Sequence, residues 1–175
     1  YHSNLIEKEE SNLKTKKLND FIEVTEDENG SLIDINFMNT ERFNFAFDVV
    51  DSLAKKSPDK LAMLHVDINK NSRRFTFGEL NKLSNQAANY FTDIGIKKGD
   101  RVMLVLKRHY QFWIAILALG KMGAIVVPAT NLLMKKDFEY RFNSAGISTL
   151  ICTADGDVTH EAELALESSP TVKNL

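Results

Sequence analysis

The stretch Arg101–Thr130, RVMLVLKRHYQFWIAILALGKMGAIVVPAT, constrains the fold more than any other part of the chain. Val102–Leu106 is a short apolar run behind the turn signal Lys98-Gly99-Asp100, which predicts a strand. Tyr110–Lys121 has room for about three helical turns. Its residues Phe112, Trp113, Ile114, Ile116, Leu117 and Leu119 leave it apolar on nearly every face. A helix of that kind is a buried one, so Trp113, Ile116 and Leu117 are expected in the core. Ala124–Val127 is apolar, largely β-branched, and stops at Pro128, which predicts a second strand. Strand, helix and strand in this order make a parallel βαβ unit whose crossover should be right-handed. A membrane span is not expected: it needs about 20 apolar residues, and Lys121 interrupts this run.

The flanking segments extend the same alternation. Residues 1–30 are mostly charged and polar, and Leu5, Ile6, Leu13, Leu18, Phe21 and Ile22 are too sparse for a core of their own. A mobile arm, or one laid on the domain, is expected there, with a turn at Asp27-Glu28-Asn29-Gly30. Phe43, Phe47, Val50 and Ala54 lie on one face of a helix over Phe43–Lys56. Leu61–Val66 and Arg73–Thr76 flank the polar turn Asp67–Ser72, a hairpin pattern. Thr76-Phe77-Gly78-Glu79 is a capping box, with a helix behind it that turns Leu80, Leu83, Ala87, Ala88 and Phe91 inward and ends near Gly95. After the βαβ unit come a helix over Lys135–Ala145 with Phe138, Phe142 and Ala145 inward, a buried strand Thr149–Cys152, an amphipathic helix Val158–Ser168, and the start of another strand at Thr171–Leu175. Strands alternating with helices predict an α/β fold: a mostly parallel sheet with helices on both faces. The start at Tyr1 rather than Met, and the end where a further βα unit should begin, are what a fragment would show.

Composition excludes more than it selects. The 175 residues are 43% apolar and 26% charged, ordinary for a globular protein, and the net charge of −2 gives no electrostatic case for nucleic acid or anionic membranes. The first 20 residues lack the apolar core of a signal peptide, and a lone cysteine fits a reducing compartment such as the cytoplasm. No Gly-x-Gly-x-x-Gly, P-loop or metal-ligand spacing among His2, His65, His109 and His160 is present. Gly120-Lys-Met-Gly123 is accounted for by close packing and helix capping. His65 is expected solvated or hydrogen-bonded, and Cys152 buried and inert. Asp155 and Asp157 flank Gly156 without the rest of a calcium loop, so helix capping by Asp157 or Thr159 is the better account. Lys107, Arg108 and His109 follow a strand's carboxyl end, where α/β proteins bind ligands, although a solvated helix start explains them as well.

Three stretches resemble the AMP-forming acyl-CoA synthetases and ligases, the adenylate-forming superfamily. Arg74-Phe-Thr-Phe-Gly-Glu-Leu80, followed by Asn85-Gln-Ala-Ala88, resembles the family's "(L/F)T(Y/F)xEL" motif and the helix after it. Gly95-Ile-Lys-Lys-Gly-Asp-Arg-Val102 resembles "GvkkGDrV", and Leu119–Pro128 resembles "xxAGaxxxPxn". Val127-Pro-Ala-Thr-Asn-Leu-Leu-Met-Lys-Lys-Asp-Phe-Glu-Tyr-Arg-Phe142 looks like the "PGTxxxxxxDxxYR" stretch of medium-chain and acetate-type synthetases, with Ala129 in place of the usual Gly. The resemblance covers roughly residues 40–175, the first part of the family's large N-terminal domain, and leaves residues 1–40 as a charged arm.

The resemblance implies a ligase joining a carboxylate to ATP as acyl-adenylate, releasing pyrophosphate, and passing the acyl group to CoA. ATP, Mg2+ and CoA are thereby implied for an intact enzyme, with a small or medium-chain carboxylic acid as substrate and the remaining C-terminal part of the same protein as partner. The family's phosphate loop ending in Pro-Lys, acidic Mg2+ ligand, ribose-binding Asp and C-terminal catalytic Lys have no counterpart in this sequence. No cofactor is therefore expected on this chain, and no residue of it is assigned as catalytic or metal-ligating. The loop starting at Pro128, Ala129 and Thr130 leaves a strand's carboxyl end, and the resemblance implies that it borders the route of the CoA thiol. Relatives of the acetate type carry arginines for CoA phosphates at the loop equivalent to Thr153–Val158; here it reads TADGDV, and that role is not carried over. A stand-alone doubly wound binding or interaction module is the alternative, and a Rossmann dehydrogenase is disfavoured by the missing fingerprint.

Overall fold

The computed structural model describes residues 13–175; the apolar residues Leu5 and Ile6 of the expected arm lie outside them. The chain divides into two compact units, Tyr1–Phe43 and Asn44–Leu175.

In the first unit, β1 (Lys14–Lys17), β2 (Ile22–Glu26) and β3 (Leu32–Phe37) form an antiparallel sheet in the order β1-β2-β3. These strands were not among the elements expected of the charged segment. Apolar residues too sparse for a helix face still suffice for a strand, which needs one at every second position. Ile22 and Val24 stand opposite Phe37 and Ile35 in the register, and Val24 is buried. The predicted turn joins β2 to β3: Asp27 Oδ1 accepts from the backbone N–H groups of Asn29 at 2.9 Å and Ser31 at 2.8 Å. Those bonds, the one from Ser31 foremost, hold the Asp27 carboxyl below the usual carboxylate range.

The second unit opens with a turn of π-helix, Phe45–Asp51, running into α1 (Ser52–Lys56). Asn44 caps it, its side chain accepting from the N–H groups of Ala46 and Phe47. The wider π winding breaks the 3.6-residue register on which the helix face was read. Val50 is buried as expected, but Ala46 and Asp51 join it inside while Phe43 and Phe47 are exposed. β4 (Leu61–Val66) and β5 (Ser72–Thr76) form the predicted hairpin. The capping box is present in full: Thr76 Oγ1 accepts from Glu79 N–H at 3.2 Å and the Glu79 carboxylate from Thr76 N–H at 2.8 Å. It starts α2 (Phe77–Asp93).

The βαβ unit is β6 (Arg101–Val105), α3 (Gln111–Met122) and β7 (Ile125–Pro128); α4 (Lys135–Ala145), β8 (Thr149–Cys152) and α5 (Val158–Ala165) follow. β6 pairs in parallel with both neighbours in the order β7-β6-β8, and residue 149 makes one further parallel bridge to Asn174. Side chains alternate across a strand, and β6 sends them to two cores. Met103 and Val105 meet Phe138 and Phe142 of α4 and Ala162 of α5. Val102 and Leu104 meet Ala115, Ala118 and Leu119 of α3 and Phe91 of α2. A third cluster joins Phe75, Leu80, Val50 and Leu117.

The α/β expectation stands, but not as one mostly parallel sheet: of the three sheets among the described residues, only β7-β6-β8 is parallel, and the other two are antiparallel. β4 and β5 pair with each other rather than joining it. Helix α3 also departs from its reading. Leu117 is buried and Ile116 partly so, but Trp113 is 54% exposed. Apolarity all round permits burial without enforcing it, and Trp113 stands at the rim of an apolar cleft of about 760 Å3 shared with Phe45, Val49, Met63 and Phe77. No described helix is long and apolar enough to cross a membrane.

Candidate functional site

The carboxyl ends of three parallel strands bring three loops to one edge of the sheet. After β6, Leu106 O accepts from His109 N–H at 3.0 Å, closing a tight turn with Lys107 at its second position. Lys107 has φ 48°, a left-handed conformation that glycine usually supplies. After β7, Ala129 N–H still donates to Leu104 O at 2.9 Å, so Ala129 is fixed to the sheet before the chain departs. Thr130 Oγ1 then accepts from Leu132 N–H at 3.3 Å. After β8, Thr153 N–H donates to Val105 O at 3.0 Å, and its hydroxyl accepts from Asp155 N–H at 3.1 Å.

His109 joins two of these loops. Its Nε2 lies 3.0 Å from Thr153 Oγ1 and 3.2 Å from Asp155 Oδ2. Because hydroxyl and carboxylate meet the same ring nitrogen, this is not a relay with an acceptor on one nitrogen and a nucleophile on the other. It is a tie between loops, and Lys107 Nζ, 3.7 Å from the same carboxylate, reinforces it. On the other side, Tyr110 is held by the hairpin. Arg73 donates from Nη1 to Tyr110 Oη at 2.9 Å, and its guanidinium lies over the Tyr110 ring at 4.7 Å and the Phe75 ring at 4.5 Å. His65 meets Tyr110 edge-on at 5.5 Å.

The loops after β6 and β7 and the hairpin tip border a cleft of about 860 Å3, lined by Lys107, Arg108, His109, Ala129, Thr130 and Asn131 on one side and by His65–Ile68 on the other. Of the residues expected to border a thiol route, Ala129 and Thr130 are on its wall, and Pro128 ends β7 directly before them. Asp67 faces the cleft as a carboxylate committed elsewhere: the Asn71 side-chain amide, at 2.9 Å, and the turn's backbone amides hold it below the usual range. Asp157 occupies the N-cap position of α5 but makes no capping hydrogen bond, so the capping expected of it is absent. Thr159 instead donates to Thr153 O at 3.3 Å. Gly123 does cap α3, at φ 71°. Cys152 is half-buried rather than fully buried, and burial pushes its thiol up.

Asp155 and the Arg73–Tyr110 stack were not anticipated as parts of this region, whereas Asn131 belongs to the loop expected there. Among the described residues no three His, Cys, Asp or Glu side chains gather to hold a metal ion.

The family model for the AMP-binding enzyme matches residues 50–174. Rat acyl-coenzyme A synthetase ACSM5, mitochondrial, is 37% identical over 126 residues, covering 69% of this chain and 22% of that protein. Human acyl-coenzyme A synthetase ACSM3, mitochondrial, is 35% identical over 117 residues, covering 63% of this chain and 20% of that protein. The chain therefore spans about a fifth of the length of these curated relatives. Among solved structures, the N-terminal domain of FACL13 from Mycobacterium tuberculosis superposes with a TM-score of 0.67 and 26% identity, covering 75% of this chain and 33% of that one. A benzoate CoA ligase from Burkholderia xenovorans, at 24% identity and a TM-score of 0.63, shares the fold. A second model, MutS family domain IV, matches residues 6–93 and competes for residues 50–93. There the capping box and α2 sit inside a unit whose relatives and superposed structures are acyl-CoA synthetases. The chain belongs to the AMP-binding enzyme family.

Proposed function

We propose that the chain forms the first part of the large domain of an ATP-dependent, AMP-forming acyl-CoA ligase of the medium-chain type, acting on a small or medium-chain carboxylic acid. One observation carries this reading: the loop after Pro128, inside the family match, leaves the parallel sheet's carboxyl edge and walls the cleft with Ala129 and Thr130. In this reading that wall borders the path of the CoA thiol, while ATP and Mg2+ are held by parts of a longer protein. A reducing, cytoplasmic setting belongs to the same proposal and rests on the single cysteine; the relatives named above are mitochondrial.

The 175-residue chain alone should not adenylate a carboxylate. The reaction needs donors preorganised against the triphosphate's developing charge, commonly a glycine-rich loop of backbone N–H groups, which this sequence lacks. Orientation of the carboxylate against the α-phosphate, worth about 7–11 kcal/mol of a barrier, would be lost as well. The assay is carboxylate-dependent exchange of labelled pyrophosphate into ATP with acetate, butyrate and octanoate. Exchange by the purified chain would overturn the reading of it as part of a catalyst. In a full-length ligase carrying this region, Ala129→Trp should slow thioester formation more than adenylate formation. Equal loss in both half-reactions would remove the thiol route from this loop. A stop codon directly after Leu175 would favour the stand-alone module.

A further inference from the structure

We infer that the outer edge of β3 is a self-association surface, and that a second copy of this chain pairs with it there, β3 against β3 and antiparallel about a two-fold axis. The surface belongs to the first unit, outside the family match of residues 50–174, so it stands apart from the ligase reading. In the described sheet β2 is the one neighbour of β3. Backbone groups of an antiparallel strand alternate between its two sides. Met38 N–H donates to Phe21 O at 2.9 Å, so by that alternation Asn36 and Asp34 also turn theirs toward β2. The register shift opposite Thr25 and Glu26 falls at the start of β3 and leaves Asp34–Phe37 in regular pairing. Ile35 and Phe37 therefore present backbone donors and acceptors to the open side. An open edge of this kind is a template for another strand.

The two edges of the sheet differ. β1 reads Lys-Thr-Lys-Lys and is exposed throughout, the charged composition that blocks an edge. β3 reads Leu-Ile-Asp-Ile-Asn-Phe, with Ile35 41% and Phe37 65% exposed. Its apolar face continues inward through Val24, opposite Ile35, and Ile22, opposite Phe37. The occupant follows from the order of residues in β3. Bonds across the open edge join outward-facing residues to outward-facing ones, so the two-fold can be centred on Asp34, Ile35 or Asn36. Centring on Asp34 sets carboxylate against carboxylate, which is unfavourable. Centring on Asn36 sets the Asp34 carboxylate against Met38. Centring on Ile35 pairs Ile35 with its own copy, Ile33 with Phe37, and Asp34 with Asn36. Apolar then meets apolar, and the carboxylate meets an amide whose contact to Glu23 is a long 3.5 Å. Such a two-fold is closed. It consumes both β3 edges and leaves a lysine-rich β1 at each end of the joined sheet, so growth stops at two copies.

Sedimentation velocity of the 175-residue chain over a concentration series tests this, and a reversible, concentration-dependent dimer is expected. Ile35→Lys sets two ammonium groups opposite one another and should raise the dissociation constant about tenfold. Asn36→Asp should weaken the dimer by facing Asp34 with a second carboxylate. Exchanging the two, Asp34→Asn with Asn36→Asp, should restore it, an outcome that damage confined to β3 would not give. In a Cys152→Ser background, Ile35→Cys should form an interchain disulfide under mild oxidation. Cα atoms of a bonded antiparallel pair stand about 5.5 Å apart, within disulfide reach. Phe37→Cys should not crosslink, since Ile33 is its opposite. Circular dichroism and thermal melts establish that each variant is folded, and the crosslinks decide if Ile35→Lys is not. A chain monomeric at every concentration, a species larger than a dimer, a dimer indifferent to a folded Ile35→Lys variant, or crosslinking through Phe37→Cys rather than Ile35→Cys would overturn the pairing.

Discussion

Lys121 interrupts the most apolar run of the chain, and the structure accounts for it as half of a buried ion pair. Its side chain is only 4% exposed, with Nζ 2.8 Å from Asp51 Oδ1 and 2.7 Å from Asn85 Oδ1, to which it donates. The approach to Asp51 is close but poorly directed for a hydrogen bond, and Asp51 Oδ1 has none. Removing one partner of a buried pair strands the other, at a cost of about 3–5 kcal/mol. Lys121→Ala should therefore lower the urea midpoint strongly, and Asp51→Asn together with Lys121→Met should recover much of the loss. A single variant as stable as the parent would show the pair to be solvated. Aromatic residues separate by the same logic. Phe142 is fully buried, so Phe142→Ala should cost about 3–5 kcal/mol. Trp113, half exposed, should cost clearly less, and equal costs in paired denaturation curves would show that the indole is buried in solution. Burial raises the Cys152 thiol. A raised value means less thiolate at neutral pH, so iodoacetamide should alkylate the folded chain more slowly than the urea-unfolded one.

At the scale of elements, local chemistry was legible and long-range pairing was not. Thr76 and Glu79 announce the start of α2 because a capping box is closed within four residues. Thr76→Ala should cost about 1 kcal/mol, within the range of about 0.5–2 for lost caps, read as a lowered melting temperature. Phe138 and Phe142 sit four apart and face inward as their spacing says. The π turn at Phe45–Asp51 was not readable, since its altered register comes from contacts such as Asn44 Nδ2 to Gly120 O, 76 residues away. The β1–β3 sheet was missed because charged positions alternate with sparse apolar ones, a pattern that composition alone assigns to a tail. The cleft divides in the same way. Strand ends pointed to Lys107, Arg108, Ala129 and Thr130. The tie from His109 to Thr153, across 44 residues, and that from Arg73 to Tyr110, across 37, are products of the fold.

Among the described residues, the apolar clusters lie on one side of residue 43. Each of the three clusters is built from residues of Asn44–Leu175 alone, on both faces of the β7-β6-β8 sheet and between α2, α3 and the π turn. Stability scales with apolar surface removed from water, and a unit of this length has enough of it to fold without outside support. A chain starting at Asn44 keeps the cap of the π turn, because the Asn44 side chain, not an earlier residue, accepts from Ala46 and Phe47. It also keeps every loop of the cleft. The expected outcome of deleting residues 1–43 is thus a soluble chain with a cooperative thermal transition close to that of the parent, and amide shifts for 107–109, 129–131 and 153–155 that overlay those of the 175-residue chain. Limited proteolysis checks the same point on the parent: a protected product beginning near Asn44 should accumulate before any cut within α2 or α3. A truncated chain that melts without cooperativity, or first cleavage between Gly78 and Leu119, would show that the cores of the second unit do not suffice for its fold.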